Sequence, residues 1–523
     1  MQIVIPMAGQ GHRFVQAGYR DIKPLIPVDG APIISRVVGM FPGERDFTFI
    51  CAANHLQSTP LQSVLEGLVP GCRVFAVEPH RLGPVHSVLA AEDLIRDDEP
   101  VIVNYCDFSV FWDYPRFREK MERQEWDGCV TAYRGFHPHS LGNTLYAYIR
   151  EEGGRLLEIQ EKRAFTANRM EEYASAGTYY FRSGALMKHY FKKAIEERLE
   201  TNGEYYASMP FNLMVEDGLG VCVHELEHFL QWGTPQDLEE YQGWSRYFAR
   251  RANWKPSLAP GPGVNLVPMA GEGVRFRQEG YTLPKPLVPV AGIPMIERSL
   301  DSYPPAGRWI AVCRREHLQD GRLEEALGAG GRNTHVITLD RLTEGQASTC
   351  LLAREHFDPE DPLLIAPCDT AVVFDEGEWL EATGNPRTDC IVMTFRNHPH
   401  ANRNPRHYGW IRAGIDGVVT GVSCKIPLGG DVKNDPGIIG AFWFRRGEIF
   451  VKAAQALVEG NRRVNNEFYV DSTIEVLLEM GHQVRIFDVE HYICFGTPDD
   501  VRTYEYWDAY FRKASPHPCC KEA

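Results

Sequence analysis

Two glycine-rich segments, each followed by a lysine, carry the clearest chemical signal in the sequence. They read A-G-Q-G-H-R over residues 8–13 and A-G-E-G-V-R over residues 270–275, and Lys23 and Lys285 each follow the arginine by ten residues. Glycine lets a backbone approach a polyphosphate closely, so that amide N–H groups point at it. The residues predicted to bind a nucleotide here are Ala8, Gly9, Gly11, Ala270, Gly271 and Gly273. A tight turn with a solvated arginine would also account for these two sequences.

The cations beside these loops suit a triphosphate. Arg13 and Arg275 would present a planar, permanently charged donor, and a proline after Lys23 and after Lys285 presents each lysine from a stiff backbone. We therefore predict that these four side chains neutralise phosphate charge.

An aspartate ends an apolar run in each half of the chain. Asp107 closes V-I-V-N-Y-C-D, and Asp369 closes L-L-I-A-P-C-D. A carboxylate at the end of a buried strand can hold Mg²⁺ against a triphosphate, and we predict Mg²⁺ as the cofactor at both aspartates. A helix cap after the strand is the alternative.

The chain repeats itself once. Lys285 follows Lys23 by 262 residues, Asp369 follows Asp107 by 262, and Gly440 follows Gly177 by 263. A spacing kept so closely predicts two copies of a whole domain. The predicted boundaries are 1–245 for the first domain, 246–261 for a linker rich in proline and glycine, 262–512 for the second domain and 513–523 for a tail.

The elements that must position these residues alternate along each half. Short apolar runs bounded by turn residues read as buried strands, and longer amphipathic stretches between them read as helices. This alternation predicts an α/β fold in which each domain is a mainly parallel sheet flanked by helices. Ligands of such sheets bind at the carboxyl ends of the strands, where the loops described above begin.

Composition narrows the function classes. The 523 residues carry a net charge of −15, which disfavours nucleic acid as a partner because phosphate backbones need a basic face. The 13 cysteines have no CxxC pair, which indicates reduced thiols. Without an apolar run long enough to span a membrane and without signal-peptide character, the expected location is the cytoplasm.

The combination of G-x-G-x-R-F with K-P-L-x-P-V-x-G-x-P resembles the signature of the sugar-phosphate nucleotidyltransferases, across both halves. The resemblance implies two tandem Rossmann-like (GT-A-like) nucleotidyltransferase domains, which join a nucleoside triphosphate to a phosphorylated acceptor and release pyrophosphate. The P-M-A-G form and the segment G-P-V-H-S look most like capsule-associated members and phosphocholine-type cytidylyltransferases. They imply CTP or another pyrimidine triphosphate and a role in making capsule or surface polysaccharide precursors.

The resemblance also assigns residues. Lys162 and Lys425 fall where the family binds the acceptor phosphate, although Cys424 replaces the glutamate that precedes this lysine in the family, and a surface lysine is the alternative. Gly83, Gly345 and Gln346 fall in the loop near the base, where the halves differ most and where a simple helix N-cap explains part of the pattern.

A second metal-binding aspartate that the family often carries is absent. Gln231 and Cys494 occupy its positions, and a carboxylate can come instead from Glu204 or from the segment 467–471, in which Asp471 has Ser208 as its counterpart.

Several interpretations stay open from sequence. Both halves are active on different acceptors, or one half is a degenerate partner. A glycosyltransferase would need an Asp-x-Asp motif that neither Asp107 nor Asp369 supplies, and a nucleotide sensor would bind without turnover. The expected assembly is a monomer, with the duplication acting as a pseudo-dimer, or a homodimer.

Overall fold

The computed structural model describes residues 1–142, 146–254, 257–429, 432–514 and 517. The chain divides into two compact units, Met1–Ser245 and the part that begins at Arg246. Among the described residues, no helix is long and apolar enough to cross a membrane.

The first unit contains thirteen strands and nine helices over the residues that the structure describes. The strands are β1 (Gln2–Met7), β2 (Pro27–Val28), β3 (Ala31–Pro32), β4 (Phe47–Ala52), β5 (Arg73–Val77), β6 (Val101–Asn104), β7 (Phe108–Phe111), β8 (Gly128–Tyr133), β9 (Ala147–Glu152), β10 (Arg155–Glu161), β11 (Tyr173–Phe181), β12 (Val221–Glu225) and β13 (His228–Gln231). The helices are α1 (His12–Gln16), α2 (Ile33–Gly39), α3 (Ala53–Ser58), α4 (Leu61–Leu68), α5 (Pro84–Ala90), α6 (Tyr114–Gln124), α7 (Gly184–Glu196), α8 (Pro210–Glu216) and α9 (Pro235–Asn253). Helix α9 runs across the boundary between the two units.

The main sheet of the first unit is mixed. Its strand order is β5-β4-β1-β6-β11-β8-β12-β10-β9. Strands β5, β4, β1 and β6 are parallel, whereas β11 runs antiparallel to both β6 and β8. Strands β8 and β12 pair in parallel and run in the same direction as β6, so the expected mainly parallel sheet is present, with β11 as a reversed strand between β6 and β8.

The second unit has matching elements. Its strands are β14 (Gly261–Met269), β15 (Pro289–Val290), β16 (Ile293–Pro294), β17 (Ala306–Arg314), β18 (Thr334–Leu339), β19 (Leu363–Ile365), β20 (Thr370–Val373), β21 (Cys390–Phe395), β22 (Gly409–Ala413), β23 (Val419–Cys424), β24 (Gly437–Phe444), β25 (Val484–Asp488) and β26 (His491–Cys494). Its helices are α10 (Val274–Gln278), α11 (Met295–Leu300), α12 (Arg322–Gly328), α13 (Gln346–Leu351), α14 (Glu376–Gly384), α15 (Pro399–Arg403), α16 (Gly447–Glu459), α17 (Thr473–Glu479) and α18 (Pro498–Lys513).

The two sheets share one strand order. In the second unit the order is β18-β17-β14-β19-β24-β21-β25, with β22 paired to β23 and β24. Each position corresponds to a strand of the first unit, from β5 and β18 at one edge to β12 and β25. Strands β1 and β4 are buried at every residue, which explains why they read as continuous apolar runs rather than as alternating ones.

The predicted linker, 246–261, begins as helix. Helix α9 continues to Asn253, and β14 begins at Gly261. Phe248, in the part of α9 that belongs to the second unit, packs on Tyr504 and Phe511 at ring-centroid distances of 5.6 and 5.4 Å. Within the predicted tail, only residues 513, 514 and 517 are described, and the Cys519-Cys520 pair lies outside the described residues.

Candidate functional site

The glycine-rich loop of each unit folds back onto its lysine. Gly11 and Gly273 both have a φ of 62°, a conformation that glycine adopts without strain, and each precedes a short helix. A Cβ on Gly11 would lie 3.6 Å from Cβ of Lys23, and one on Gly273 would lie 3.1 Å from Cβ of Lys285. The loop and the lysine, ten residues after the arginine in sequence, thus form one wall. The buried ring of Phe14 anchors the helix that starts there.

The predicted phosphate lysine and the predicted metal aspartate meet in both units. In the first unit, Nζ of Lys23 lies 2.6 Å from Oδ2 of Asp107 and also donates to the carbonyl oxygen of Gly233 at 3.4 Å. In the second unit, Nζ of Lys285 lies 2.5 Å from Oδ2 of Asp369. These side chains come from segments 84 residues apart in sequence, so the sheet rather than the local sequence brings them together.

Both lysine–aspartate pairs are about equally buried. Burial works against protonation of Lys285, but the Asp369 carboxylate more than offsets this effect, and the pKa of Lys285 lies above its usual range. Lys285 is therefore a fixed positive charge that a triphosphate can take over from Asp369.

Arg13 and Arg275 lie on the short helices after the glycine loops. Both side chains are exposed, and neither forms an ion pair with any residue that the structure describes. Arg13 is close enough to Tyr206 to oppose the rise in the pKa of that hydroxyl. The structure therefore leaves both predicted arginines available for a ligand anion.

The predicted acceptor lysines share a strained backbone. Lys162 has a φ of 59° and Lys425 a φ of 65°, a left-handed conformation that is uncommon for residues other than glycine. Nζ of Lys162 lies 2.6 Å from the hydroxyl of Tyr206, and Nζ of Lys425 donates to the carbonyl oxygen of His407. Such outliers persist where the surrounding structure requires them, and they cluster at functional sites.

A cavity of about 810 Å³ in the first unit collects most of the predicted residues. Its lining includes Ala8, Gly9, Gly11, Lys23, Gly83 and Asp107. Arg13 and Lys162 do not line it, although Tyr206, to which Lys162 is bonded, does.

Gly83 and Gly345 are also explained by close packing against a neighbouring backbone segment. The amide of Tyr205 donates to the carbonyl oxygen of Leu82, and the amide of Val85 donates to the carbonyl oxygen of Tyr205, so the loop runs against this backbone. A Cβ on Gly83 would lie 2.6 Å from the backbone N and O atoms of Tyr205. Gly345 stands in the same relation to Phe468, at 2.5 Å from its N atom.

The residues after these glycines differ between the units. Pro84 is the first residue of α5, whereas Gln346 is the first residue of α13 and presents a side-chain amide. His86 lies 5.2 Å from the ring of Tyr205, and burial together with His80 lowers its pKa. The two loops therefore follow the same backbone path and differ in their side chains.

The sequence prediction missed several side chains of the cavity. Three of these are His12, His80 and Arg81, of which Arg81 is exposed and has no ion-pair partner among the described residues. Their counterparts in the second unit are Val274, Leu342 and Thr343. A search for residues shared by both halves passes over such positions, and only proximity to Gly83 in sequence signals Arg81.

The residues present fit a magnesium ion that is held mainly by substrate. Among the described residues, no group of three His, Cys, Asp or Glu side chains is placed to hold a metal. Mg²⁺ commonly uses one or two carboxylates together with substrate phosphates and water, so Asp107 and Asp369 suit it. Burial, Asp500 and Asp369 raise the pKa of Cys494 well above its usual range, which leaves that thiol neutral and a poor ligand.

The candidate second carboxylates have partners other than the two predicted metal aspartates. Glu204 accepts a hydrogen bond from the hydroxyl of Tyr206 at the cavity wall. Asp471 lies against Gly409 and within electrostatic reach of Lys425, at the acceptor end of the site. Neither position is beside Asp107 or Asp369 in the contacts of the described residues.

Comparisons with known proteins identify the family. A family model described as the MobA-like NTP transferase domain matches residues 3–172 and 266–413, more than half of the chain. The CMP-5'-(3-aminopropyl)phosphonate synthase of Streptomyces rubellomurinus is 26% identical over 249 residues, which cover 47% of this chain and 38% of that protein. The bifunctional protein GlmU of Desulfotalea psychrophila is 27% identical over 219 residues, which cover 41% of this chain and 61% of that protein.

The matches to these curated relatives thus cover less than two thirds of each relative's length. Among solved structures, the nucleoside-diphosphate-sugar pyrophosphorylase from Vibrio cholerae is similar with a TM-score of 0.38 and 19% identity, over 46% of this chain and 99% of that one. Because the family model matches twice and covers both glycine loops, both lysine–aspartate pairs and Lys162, the chain belongs to the MobA-like NTP transferase domain family, a family of nucleotidyltransferases.

Proposed function

We propose that each unit transfers a nucleoside monophosphate from a nucleoside triphosphate to a phosphorylated small molecule and releases pyrophosphate. The observation that carries the proposal is the contact of Lys23 with Asp107 beside the glycine loop, and its repetition as Lys285 with Asp369. A cation for phosphate and a carboxylate for a metal, side by side at the mouth of a cavity, are what this reaction needs.

The proposed reaction depends mostly on how the two substrates are positioned. The acceptor's phosphate is a nucleophile near neutral pH and attacks the α-phosphorus in line with the departing pyrophosphate. Lys23 and Arg13 neutralise the triphosphate, and Lys162 holds the acceptor phosphate as a point charge. Mg²⁺, held by Asp107, would withdraw charge from the phosphate oxygens. In the second unit the same roles fall to Lys285, Arg275, Lys425 and Asp369.

The lysine–aspartate ion pairs link triphosphate binding to metal binding. A triphosphate that draws Lys23 away from Asp107 would free the carboxylate for the metal. Substrate and metal binding are therefore coupled in each unit, and we expect Mg²⁺ to bind more tightly when the triphosphate is present.

We favour CTP or another pyrimidine triphosphate. The family resemblance of the P-M-A-G loop and of the segment after Gly83 supports this preference, and so does the name of the Streptomyces relative, which specifies a CMP product. The resemblance also supports a role in capsule or surface polysaccharide precursors. The loop differences at Pro84 and Gln346 leave room for two base preferences.

We further propose that the chain is a tandem duplication with two active halves. The shared strand order, the constant spacing and the retention of both lysine–aspartate pairs support this proposal. A degenerate half would have no reason to keep Arg275, Lys285 and Asp369.

The test is pyrophosphate release. Each common triphosphate is paired with a panel of phosphorylated sugars, polyols, amino acids and choline, with Mg²⁺. Wild type is compared with Asp107→Ala and Asp369→Ala. Loss of different acceptors in the two variants supports a bifunctional enzyme, whereas triphosphate binding without release for any acceptor supports a sensor.

A further inference from the structure

The two units place a buried carboxylate differently beside the acceptor lysine. In the first unit, Glu161 ends β10 and accepts a hydrogen bond from the hydroxyl of Ser208. In the second unit, Cys424 occupies the position of Glu161, and Asp471 occupies the position of Ser208. Each unit therefore has one carboxylate at this contact. In the first unit it belongs to Glu161, and in the second unit it belongs to Asp471, the counterpart of the residue that contacts Glu161.

A third position changes with these two. Ala147 pairs with Glu161 across strands β9 and β10, and Gly409 pairs with Cys424 across β22 and β23. A Cβ on Gly409 would lie 2.4 Å from Oδ2 of Asp471, so an alanine there would exclude that carboxylate. All three residues of the first unit, Ala147, Glu161 and Ser208, are thus replaced in the second unit, by glycine, cysteine and aspartate respectively.

Each carboxylate has one lysine within electrostatic reach, Lys162 or Lys425, and that lysine is the one assigned to the acceptor phosphate. Burial and the nearby Glu204, opposed by Ser208 and Lys162, raise the pKa of Glu161 to about 7. Burial also raises the pKa of Asp471, although Lys425 opposes the effect. Once that lysine binds the acceptor phosphate, the buried carboxylate is left without a cation, which is unfavourable. Its retention through three coordinated changes therefore indicates a ligand rather than a structural role.

The acceptor end of each unit is acidic before substrate binds. In the first unit, Glu161 lies within electrostatic reach of both Glu204 and Lys162, and Nζ of Lys162 is already bonded to Tyr206. A hydroxyl group would hydrogen-bond to Glu161 without compensating its charge, whereas a protonated amine would do both.

We propose that the acceptor carries a protonated amine at the end opposite its phosphate or phosphonate group, and that Glu161 in the first unit and Asp471 in the second bind this amine. The inference rests on the proposed function. Because the carboxylate comes from β10 in one unit and from the segment before α17 in the other, the two units differ in the length of the acceptor that they select.

The experiment uses the full-length chain with Asp369→Ala, which silences the second unit. Pyrophosphate release is measured with aminoalkyl phosphonates of two to four carbons and with hydroxyalkyl phosphonates of the same lengths. We expect the amines to be preferred, and we expect Glu161→Gln to raise KM for the amines by about 10- to 100-fold, the loss of one charged hydrogen bond, with little change in kcat or in either constant for the hydroxyl analogues.

Glu158→Gln is the matched control on the same strand. Glu158 pairs with Arg150 at 3.0 Å, is 46% exposed and should leave both constants unchanged. The triple variant A147G/E161C/S208D should shift the preferred amine length toward that of the second unit, measured separately in an Asp107→Ala chain.

Three outcomes would overturn the inference. Wild type would use the hydroxyl analogues as well as the amines, or Glu161→Gln would impair both series equally. Pyrophosphate release with phosphorylated sugars but with no amine also overturns it while the proposed function stands. If no acceptor releases pyrophosphate, the proposed function fails, and calorimetric binding of the same phosphonates to wild type and Glu161→Gln decides the inference alone.

Discussion

Two glycines of the first unit, Gly9 and Gly83, were both predicted to bind nucleotide, and alanine substitutions should separate a glycine that serves the ligand from one that serves the fold. Gly9 is exposed and has no atom within 4 Å of the place where a Cβ would stand. Gly83 has φ 90° and ψ 175°, and its Cβ would lie 2.6 Å from the backbone of Tyr205. The same substitution therefore has opposite consequences at the two positions.

The expected magnitude for Gly83→Ala follows from two effects. The backbone region that Gly83 occupies is almost restricted to glycine, and another residue there costs about 1–3 kcal/mol. The contact with Tyr205 is with backbone, which cannot rotate away, and overpacking of this kind costs about 1–3 kcal/mol more. We expect the free energy of unfolding of the first unit to fall by about 2–6 kcal/mol, which lowers its melting temperature by roughly 5–20 °C.

For Gly9→Ala we expect a change in unfolding free energy within about 0.5 kcal/mol, since the methyl group meets open space. That methyl group stands in the cavity where the triphosphate would lie. Displacing the ligand should weaken triphosphate binding by about tenfold or more, the equivalent of ~1.4 kcal/mol.

The assays are thermal unfolding followed by calorimetry and triphosphate binding by titration calorimetry. Gly271→Ala and Gly345→Ala provide the matched pair in the second unit, where a Cβ would meet nothing within 4 Å and the N atom of Phe468 at 2.5 Å, respectively. A Gly83→Ala protein as stable as wild type, or a Gly9→Ala protein with unchanged triphosphate affinity, would refute this division of roles.

Three further predictions concern the charges of the site. Lys23→Ala should lower turnover of the first unit by about 10²- to 10⁴-fold in a steady-state pyrophosphate assay. The loss of its partly exposed ion pair with Asp107 should change the free energy of unfolding by less than about 1 kcal/mol. Full turnover of the first unit in this variant would refute the role of Lys23 in binding the triphosphate. The pKa of Glu161 is raised in the folded state from an ordinary 4.5 to about 7, so its contribution to stability is present below pH 4.5 and lost as the pH rises through 7. Glu161→Gln should therefore match wild type near pH 4 and exceed it at pH 8 by up to about 3 kcal/mol in denaturant titrations, and an equal offset at both pH values would contradict the cause given. Gly409→Ala should destabilise the second unit by about 1–3 kcal/mol, and Asp471→Ser in the same chain should restore most of the loss in a thermal double-mutant cycle, because the overlap with the carboxylate is then gone.

The part of the site that could be predicted from sequence is the part that both halves share. Lys23 and Asp107 recur at a constant spacing, and repetition distinguishes them from solvated surface charges. Arg81 and His80 line the same cavity but have no charged counterpart in the second unit, so a comparison of the halves passes over them.

The strands and their mainly parallel arrangement were also predictable, but the reversal of β11 was not. An apolar run marks β11 as buried, yet only hydrogen-bond register shows that it runs antiparallel to β6 and β8.

The missing glutamate before Lys425 illustrates what tertiary contact adds. From sequence, Cys424 appears as a loss, and Asp471 appears as a spare carboxylate some distance along the chain. Only the contact of Asp471 with Gly409, the strand partner of Cys424, shows that the carboxylate has been relocated rather than lost.

The most direct test of the central claim is acceptor-dependent pyrophosphate release by wild type, Asp107→Ala and Asp369→Ala, with each common triphosphate and Mg²⁺. We predict release by wild type with a pyrimidine triphosphate, loss of one acceptor's reaction in Asp107→Ala and loss of another's in Asp369→Ala. Undiminished release in the double variant, or triphosphate binding without release from any acceptor, would contradict the account.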